Sequence, residues 1–296
     1  MKKLFTLLTL TITFSMNAQV STNSTSPTGT YASAMGNGTT ASGNESTAMG
    51  YDTTASGEAS TAMGYSTTAT AQSSTAMGRS TTASGLNSTA MGRGTTASGT
   101  DSTAMGYYTQ GSGSRSTAMG RSTTATDYSS TVIGQYNSSG SSATSANSFS
   151  TSAPAFVIGN GANSSNKSDA FKVMFDGTTT IAGDLTINSD ARLKANITSL
   201  GGTLAKLLKI DGKSYTMKKD QSEKQKIGLL AQDIQKVFPE LVLESQGIKS
   251  VNYQGLVPVI INALKEQDRK MKEQDRKMRE QEERLERLER LVANMD

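Results

Sequence analysis

The chain has 296 residues with no His, no Cys, no Trp and only four Pro. Without His there is no imidazole acid or base, no imidazole metal ligand and no His-based triad. Without Cys there are no disulfides, no thiolate nucleophile and no Cys-ligated zinc. Any catalysis must use Ser, Thr, Lys, Tyr or carboxylates, and neither a cofactor nor a metal is expected. Apolar residues are also scarce: 34% of the chain is hydrophobic and 5% aromatic, and Leu86 is the one Leu between residues 19 and 184. A conventional core cannot be built from so little, so that stretch must gain stability in another way.

Charge is present but uneven. The formal net charge is +4, yet 38 of the 54 charged residues lie between 189 and 296. There the Lys and Arg are interleaved with Asp and Glu, which argues against a nucleic-acid partner. The first 18 residues read as an export signal. Lys2 and Lys3 form a basic start, residues 4–16 are mostly apolar with interspersed Thr, and Ala18 is the small residue before a cleavage point, with Met16 at the −3 position. No later run approaches the roughly 18 apolar residues of a spanning helix, so no membrane span is expected. These features describe an exported chain, secreted or held at the surface of a bacterium. Its lack of Cys suits an exported protein that does not depend on disulfides.

What the chain has instead is repetition. Met35, Met49, Met63, Met77, Met91, Met105 and Met119 fall 14 residues apart, Ile133 takes the eighth place, and each is followed by Gly. The unit is S-T-A-M-G-x-x-T-T-A-S-G-x-x. Fourteen residues suit two short strands and two tight turns: Thr favours extended backbone, and Gly permits positive φ. One Met and one or two Ala per unit form no independent core, but stacked coils bury one another. These repeats resemble the heads of trimeric autotransporter adhesins, whose S-x-A-x-G motif recurs at this period. The resemblance covers about residues 32–140. It implies a left-handed parallel β-roll with three chains side by side, and carries over an architecture rather than that family's membrane anchor. The variable positions hold Tyr51, Tyr65, Arg79, Arg93, Tyr107, Tyr108 and Arg121. They are either solubilising turn residues or contacts for a cell-surface or matrix receptor.

Residues 141–188 read as a β connector. Residues 155–161 form a strand and turn, residues 171–175 and 178–181 a hairpin about Asp176-Gly177, and residues 183–188 one more short strand. Beyond 189 the pattern becomes mixed α/β, with a helix at 199–208, a strand at 213–217, a helix at 231–238 ended by Pro239, extended residues at 250–253 and a long helix from about 256. The mainly β first part is thus followed by a small α/β domain. The expected organisation is a signal at 1–18, a linker at 19–31, the roll at 32–140, the connector at 141–188, the α/β domain at 189–259 and a coiled coil at 260–296.

The α/β domain opens with Ser189-Asp190-Ala191-Arg192-Leu193-Lys194. Three more blocks follow: Ile227-Gly228-Leu229-Leu230-Ala231-Gln232-Asp233, then Val237-Phe238-Pro239-Glu240-Leu241-Val242, then Ser250-Val251-Asn252-Tyr253 with Gly255-Leu256-Val257-Pro258. In that order they resemble the intramolecular chaperone auto-processing domain found at the C-termini of endosialidases and phage tail spikes. The resemblance implies that the chain cuts itself at the bond between Asn188 and Ser189, with Ser189 as nucleophile and Lys194 as general base. A Ser hydroxyl needs such a base, and a Lys serves when desolvation or nearby positive charge lowers its proton affinity. Arg192 is a candidate for that charge, Gln232 for orienting the site, and Asp190 for capping a turn. Lys194 could act within its own chain or on a neighbour. The sequence Ser168-Asp169-Ala170-Phe171-Lys172 copies the motif superficially and reads as part of a β turn.

From Leu264, apolar residues recur every seven at Met271, Met278, Leu285 and Val292, with Gln267, Gln274, Gln281, Leu288 and Met295 between them. This heptad seam predicts a coiled coil, and its Gln layers are compatible with the three strands implied upstream. The combined expectation is a homotrimeric adhesin-like fibre with a C-terminal chaperone that it releases by autoproteolysis. The alternatives are an uncleaved structural fibre, whose last domain only trimerises, and a prophage-derived receptor-binding tail fibre.

Overall fold

The computed structural model describes residues 24–218 and 224–294. The export-signal reading at 1–18 lies outside them. The chain forms two compact units, dividing between Ile187 and Asn188.

The first unit is a parallel β-solenoid of about eight coils. Each 14-residue coil contributes a five-residue strand such as Thr47–Tyr51 and a two-residue strand such as Thr54–Ala55. Successive coils pair in register, so that Thr61, Met63 and Tyr65 stand beside Thr47, Met49 and Tyr51. The long strands build one parallel ladder and the short strands another. The end of each long strand explains why Gly follows the Met or Ile of every coil. Gly50 has φ +123°, and a Cβ there would lie 2.0 Å from the carbonyl oxygen of Gly64 in the next coil. An L side chain is excluded both by the backbone angle and by the stacked neighbour.

The interior is made of Ala, Ser and Thr. Ser46, Ala48, Thr53 and Ala55 are fully buried, as are their equivalents in the later coils. The Met residues expected in this core lie elsewhere: Met49 to Met119 are only half-buried in the single chain, and Met35 is exposed. Side chains alternate along a strand, so burying Ala48 turns Thr47 and Met49 to the outer face. The lumen between two such narrow ladders has room only for small groups. Ser46 and Ser60 hydroxyls donate to the carbonyls of Gly43 and Gly57 at 2.6 and 2.7 Å. The Thr53, Thr67, Thr81 and Thr95 hydroxyls are buried without a hydrogen-bond partner, a burden of about 1–3 kcal/mol each that the backbone ladders and close packing must offset.

The long-strand sheet does not stop with the last repeat. Pro154–Asn160 pairs in parallel with Thr131–Gln135, setting Val157 beside Val132 and Gly159 beside Gly134. Part of the expected connector therefore continues the ladder. Asp169–Met174 then returns antiparallel, followed by Thr179–Ile181, the expected hairpin. The short-strand sheet is closed by side chains that replace a ninth coil's backbone. Asn137 Oδ1 accepts from the Thr124 amide at 2.8 Å while its Nδ2 donates to the Thr124 carbonyl at 2.9 Å. Buried Asp127 accepts from the Thr144 and Ser145 amides at 2.6 and 2.7 Å. These contacts fold the Ser-rich segment over the open edge. Ser168 just precedes a strand rather than forming a turn, its hydroxyl donating to Asn160 Oδ1 at 2.7 Å, and Lys172 is paired opposite Val157. The strand expected at 183–188 does not form.

The second unit has a short helix at Thr203–Leu207, which starts later than expected because Gly201 and Gly202 precede it. Next come a hairpin of Lys213–Tyr215 with Lys226–Gly228, a helix at Ala231–Val237, a hairpin of Val242–Ser245 with Ile248–Val251, and a helix at Leu256–Ala293. Ile234, Phe238, Leu241, Leu256 and Val259 form the core. The long helix is tied back by Glu266, whose carboxylate accepts from the Thr203 amide and hydroxyl at 2.9 Å and the Leu204 amide at 3.1 Å. It thus caps a helix whose own preceding residue, Gly202, has no capping side chain.

The backbone N–H of Thr203, then that of Leu204 and the Thr203 hydroxyl, hold the Glu266 carboxyl below the usual glutamate range. A lowered folded-state value stabilises the fold above the unfolded value and ceases to do so as pH falls through the folded one. The tie should therefore be intact at neutral pH and lost on acidification below the ordinary glutamate range. Amide-exchange protection at Thr203 and Leu204, corrected for intrinsic rates, should fall there in the wild type. In Glu266→Gln it should be weaker already at neutral pH and no longer change across that window. Equal protection in both proteins would remove Glu266 from this role.

The heptad positions Leu264, Met271, Met278, Leu285 and Val292 are all half or more exposed on the single helix, from 50% to 63%. Their continuous seam fits a coiled coil. Met295 lies outside the described residues.

Candidate active site

The second unit begins with the Ser189 motif, and its local shape follows from one carboxylate. Asp190 accepts from the Arg192 amide at 2.8 Å and starts a single 3-10 turn, Ala191–Leu193. The Lys194 amide donates to the Ala191 carbonyl at 3.1 Å and closes that turn. With the backbone reversed over five residues, the Lys194 side chain reaches back and Nζ donates to Ser189 Oγ at 2.7 Å. A hydroxyl and an amine are thus in direct hydrogen-bond contact beside the bond joining Asn188 to Ser189. A shallow cavity of about 430 Å³ lies against Asn188, Ser189, Asp190, Arg192 and Leu193.

Arg192 does not serve Lys194 as an unpaired charge. Its Nε lies 3.1 Å from both Asp190 carboxylate oxygens and its Nη2 lies 2.6 Å from Oδ2. The pair responds accordingly: the Arg192 side chain, then its backbone N–H, lowers the Asp190 carboxyl, and Asp190 raises the Arg192 guanidinium. The guanidinium expected beside Lys194 is thus held by the Asp190 carboxylate in the single chain. Gln232 lies in the Ala231–Val237 helix. Among the described residues, no hydrogen bond joins it to Ser189 or Lys194.

The single chain leaves this site open to water. Residues 183–199 are exposed throughout, and their hydrogen bonds among the described residues stay within the 189–194 turn. Leu193 and Ile197 flank it at 71% and 67% exposure. Apolar side chains beside a polar pair form a surface that a further layer of protein would bury, and burial is what makes a Lys a competent base.

Two contributors to this unit were not legible in the sequence motifs. Glu266 reaches back 63 residues to hold the segment that follows the motif. The Tyr253 hydroxyl accepts from the Leu229 amide at 3.0 Å, fixing the start of the Gln232 helix. Tyr253 belonged to a recognised block, but its partner lies 24 residues away and no local spacing signals it.

Comparison with known proteins divides along the same line. Residues 28–53, 55–81, 83–109 and 112–137 each match a double copy of the YadA head domain repeat. Residues 189–243 match the chaperone of endosialidase. The chain is also 31% identical over 100 residues to the long tail fiber protein Gp37 of Escherichia phage AR1, a match covering 31% of this chain and 9% of that fibre. The chain thus spans less than a tenth of that relative's length. In order along its length, the chain carries repeats similar to the YadA head and then a module similar to the chaperone of endosialidase.

Proposed function

We propose that the protein is an exported, homotrimeric attachment fibre that removes its own C-terminal chaperone by cutting between Asn188 and Ser189. The observation that carries this reading is the 2.7 Å contact between Lys194 Nζ and Ser189 Oγ next to that bond. Ser189 Oγ attacks the carbonyl carbon of Asn188, its immediate neighbour, so attacking and attacked groups are held together covalently and little orientation is lost. Lys194, once neutral, takes the hydroxyl proton and returns it to the departing Ser189 nitrogen. The C–N bond breaks as the O–C bond forms, leaving an ester. Water then adds to that ester, releasing the Asn188 carboxylate and restoring the Ser189 hydroxyl.

Trimer assembly and cleavage are coupled in this reading. In the solenoid, the Met column offers half-buried side chains one strand apart on an outer face. In the second unit, the exposed heptad seam and the apolar flanks of the site are unpartnered in one chain. Three chains covering these surfaces would desolvate Lys194 only after assembly, so the cut would follow folding. The match to the chaperone of endosialidase supports self-processing, and the matches to the YadA head repeat and to a phage long tail fibre support a trimeric surface or attachment role.

Intact mass and N-terminal sequencing of the folded product test this function. A fragment beginning at Ser189 is expected; an intact chain in a fully assembled trimer would instead favour the uncleaved fibre. The Met column has its own test. Met77→Asp combined with Met91→Asp places two charges per chain in the proposed interface, at several kcal/mol for each charge left unpaired on burial. Light scattering of the released fragment that ends at Asn188, which no longer carries the heptad helix, should then show loss of the trimer, whereas an unchanged trimer would place the interface on another face.

A further inference from the structure

The exposed row that follows the invariant glycines has a charge and stacking pattern that the fold itself does not require. Register places Tyr51, Tyr65, Arg79, Arg93, Tyr107 and Arg121 in one line, each a single strand spacing from the next. Tyr51 and Tyr65 are stacked, with ring centroids 5.1 Å apart and planes 7° from parallel. The Arg79 guanidinium lies over the Tyr65 ring and that of Arg93 over Tyr107, each at 5.4 Å. Arg121 lies over Tyr136 at 5.4 Å. Arg79 and Arg93 are direct register partners. Like charges opposite one another on adjacent strands repel, yet among the described residues no carboxylate pairs with Arg79, Arg93 or Arg121. The acidic residues Glu45, Glu58 and Asp101 stand in the other turn of the coil, and Asp52 is two strands from Arg79. A row that sets two like charges side by side in the open, with a third one strand beyond Tyr107 and no paired carboxylate, is suited to an anion supplied from outside.

We propose that this row binds a linear acidic polysaccharide laid along the solenoid axis. The inference rests on the attachment role proposed above and names the chemistry that would be attached to. Stacking against neighbours fixes the Tyr and Arg side chains in advance, which reduces the entropy lost on binding. It leaves these Tyr and Arg side chains exposed to solvent, one per coil, with hydroxyl and guanidinium donors available to a ligand. Guanidinium edges match carboxylates and sulfates in a two-pronged arrangement, and a sugar chain carrying such groups at regular intervals can engage several coils at once. A nucleic acid fits less well, because its bases need free aromatic faces to stack on and here each of Tyr51, Tyr65 and Tyr107 already has a neighbouring side chain on at least one face.

The test uses the full chain, with heparin and hyaluronate as acidic probes and dextran as the neutral one, in titration calorimetry at several salt concentrations. Binding to at least one acidic chain, weakening as salt rises, with none to dextran, is the expected result. Arg79→Gln/Arg93→Gln/Arg121→Gln should weaken it by about tenfold or more. Arg115→Gln, on the opposite turn and paired with Asp101, should leave it unchanged. Binding to neither acidic probe, equal binding to dextran, or an unaffected triple variant overturns the proposal. So does loss of the trimer in the triple variant, which would make the row a contact between copies. Fragment masses from the same samples report processing separately: an unprocessed chain that binds would overturn the cleavage reading alone, and a processed chain that does not bind would overturn this one alone.

Discussion

Ser189→Ala should leave a folded, assembled and uncut chain where the wild type gives two fragments divided at the bond between Asn188 and Ser189. The variant loses one oxygen from an exposed turn that Asp190 holds through the Arg192 backbone amide and the Lys194 amide closes, so folding should persist. Lys194→Arg is the sharper companion. It keeps a cation and a hydrogen-bond donor near Ser189 but removes a group able to give up its proton. A structural role for Lys194 would survive this change and a general-base role would not, with processing slowed by about a hundredfold or more. Arg192→Gln should process at close to the normal rate, because the guanidinium is already paired with Asp190. The measurement is the fraction of intact chain against time after assembly, by mass spectrometry. Normal processing in Ser189→Ala, or in Lys194→Arg, would refute the assigned chemistry.

Gly78→Ala should be strongly damaging to the solenoid, as should the same change at any of the equivalent glycines. Gly78 has φ +120°, and a Cβ there would sit 2.0 Å from the carbonyl oxygen of Gly92. That oxygen belongs to a backbone held in the parallel ladder and cannot move aside without breaking register. A loss of about 4 kcal/mol or more is expected, seen as early melting of the β signal in circular dichroism. Gly85→Ala makes the comparison informative. A Cβ at Gly85 would also approach a carbonyl closely, the Gly99 oxygen at 2.0 Å. The equivalent coil position, however, is occupied naturally by Ala71 and by Asp127, and positive φ is not required there. The second substitution should therefore be clearly milder. Equal effects at 78 and 85 would show that backbone angle contributes nothing beyond crowding.

Legibility differed by the range of the physics involved. The 14-residue period was plain because each coil repeats the same turns, and a Gly required by positive φ is a local fact. The helix at Ala231–Val237 was readable for the same reason, since its end is set locally: Pro239 blocks its continuation. The hairpin about Asp176-Gly177 was readable from its turn and flanking alternation. The strand expected at 183–188 does not form, because extended propensity does not create a pairing partner. The helix at Thr203–Leu207 is shorter than its leucines predict, because Gly201 and Gly202 precede it and Gly202 is left-handed at φ +64°.

By itself the sequence determined the repeat length, the places where only Gly fits, the heptad seam, and the five-residue spacing that lets Lys194 meet Ser189. The tertiary structure decided which side of each coil is buried. Ala and Ser lie inside and Met outside, because two ladders only a small side chain apart leave no room for a longer one. It also decided that the ladder runs on through Pro154–Asn160, and that Arg192 pairs with Asp190. The clearest case is the hexapeptide at 266–271, repeated unchanged at 273–278. Glu266 caps a helix 63 residues away, while Glu273 pairs with Lys277 on its own helix. Identical local sequences acquire different roles because a long-range partner lies within reach of only the first.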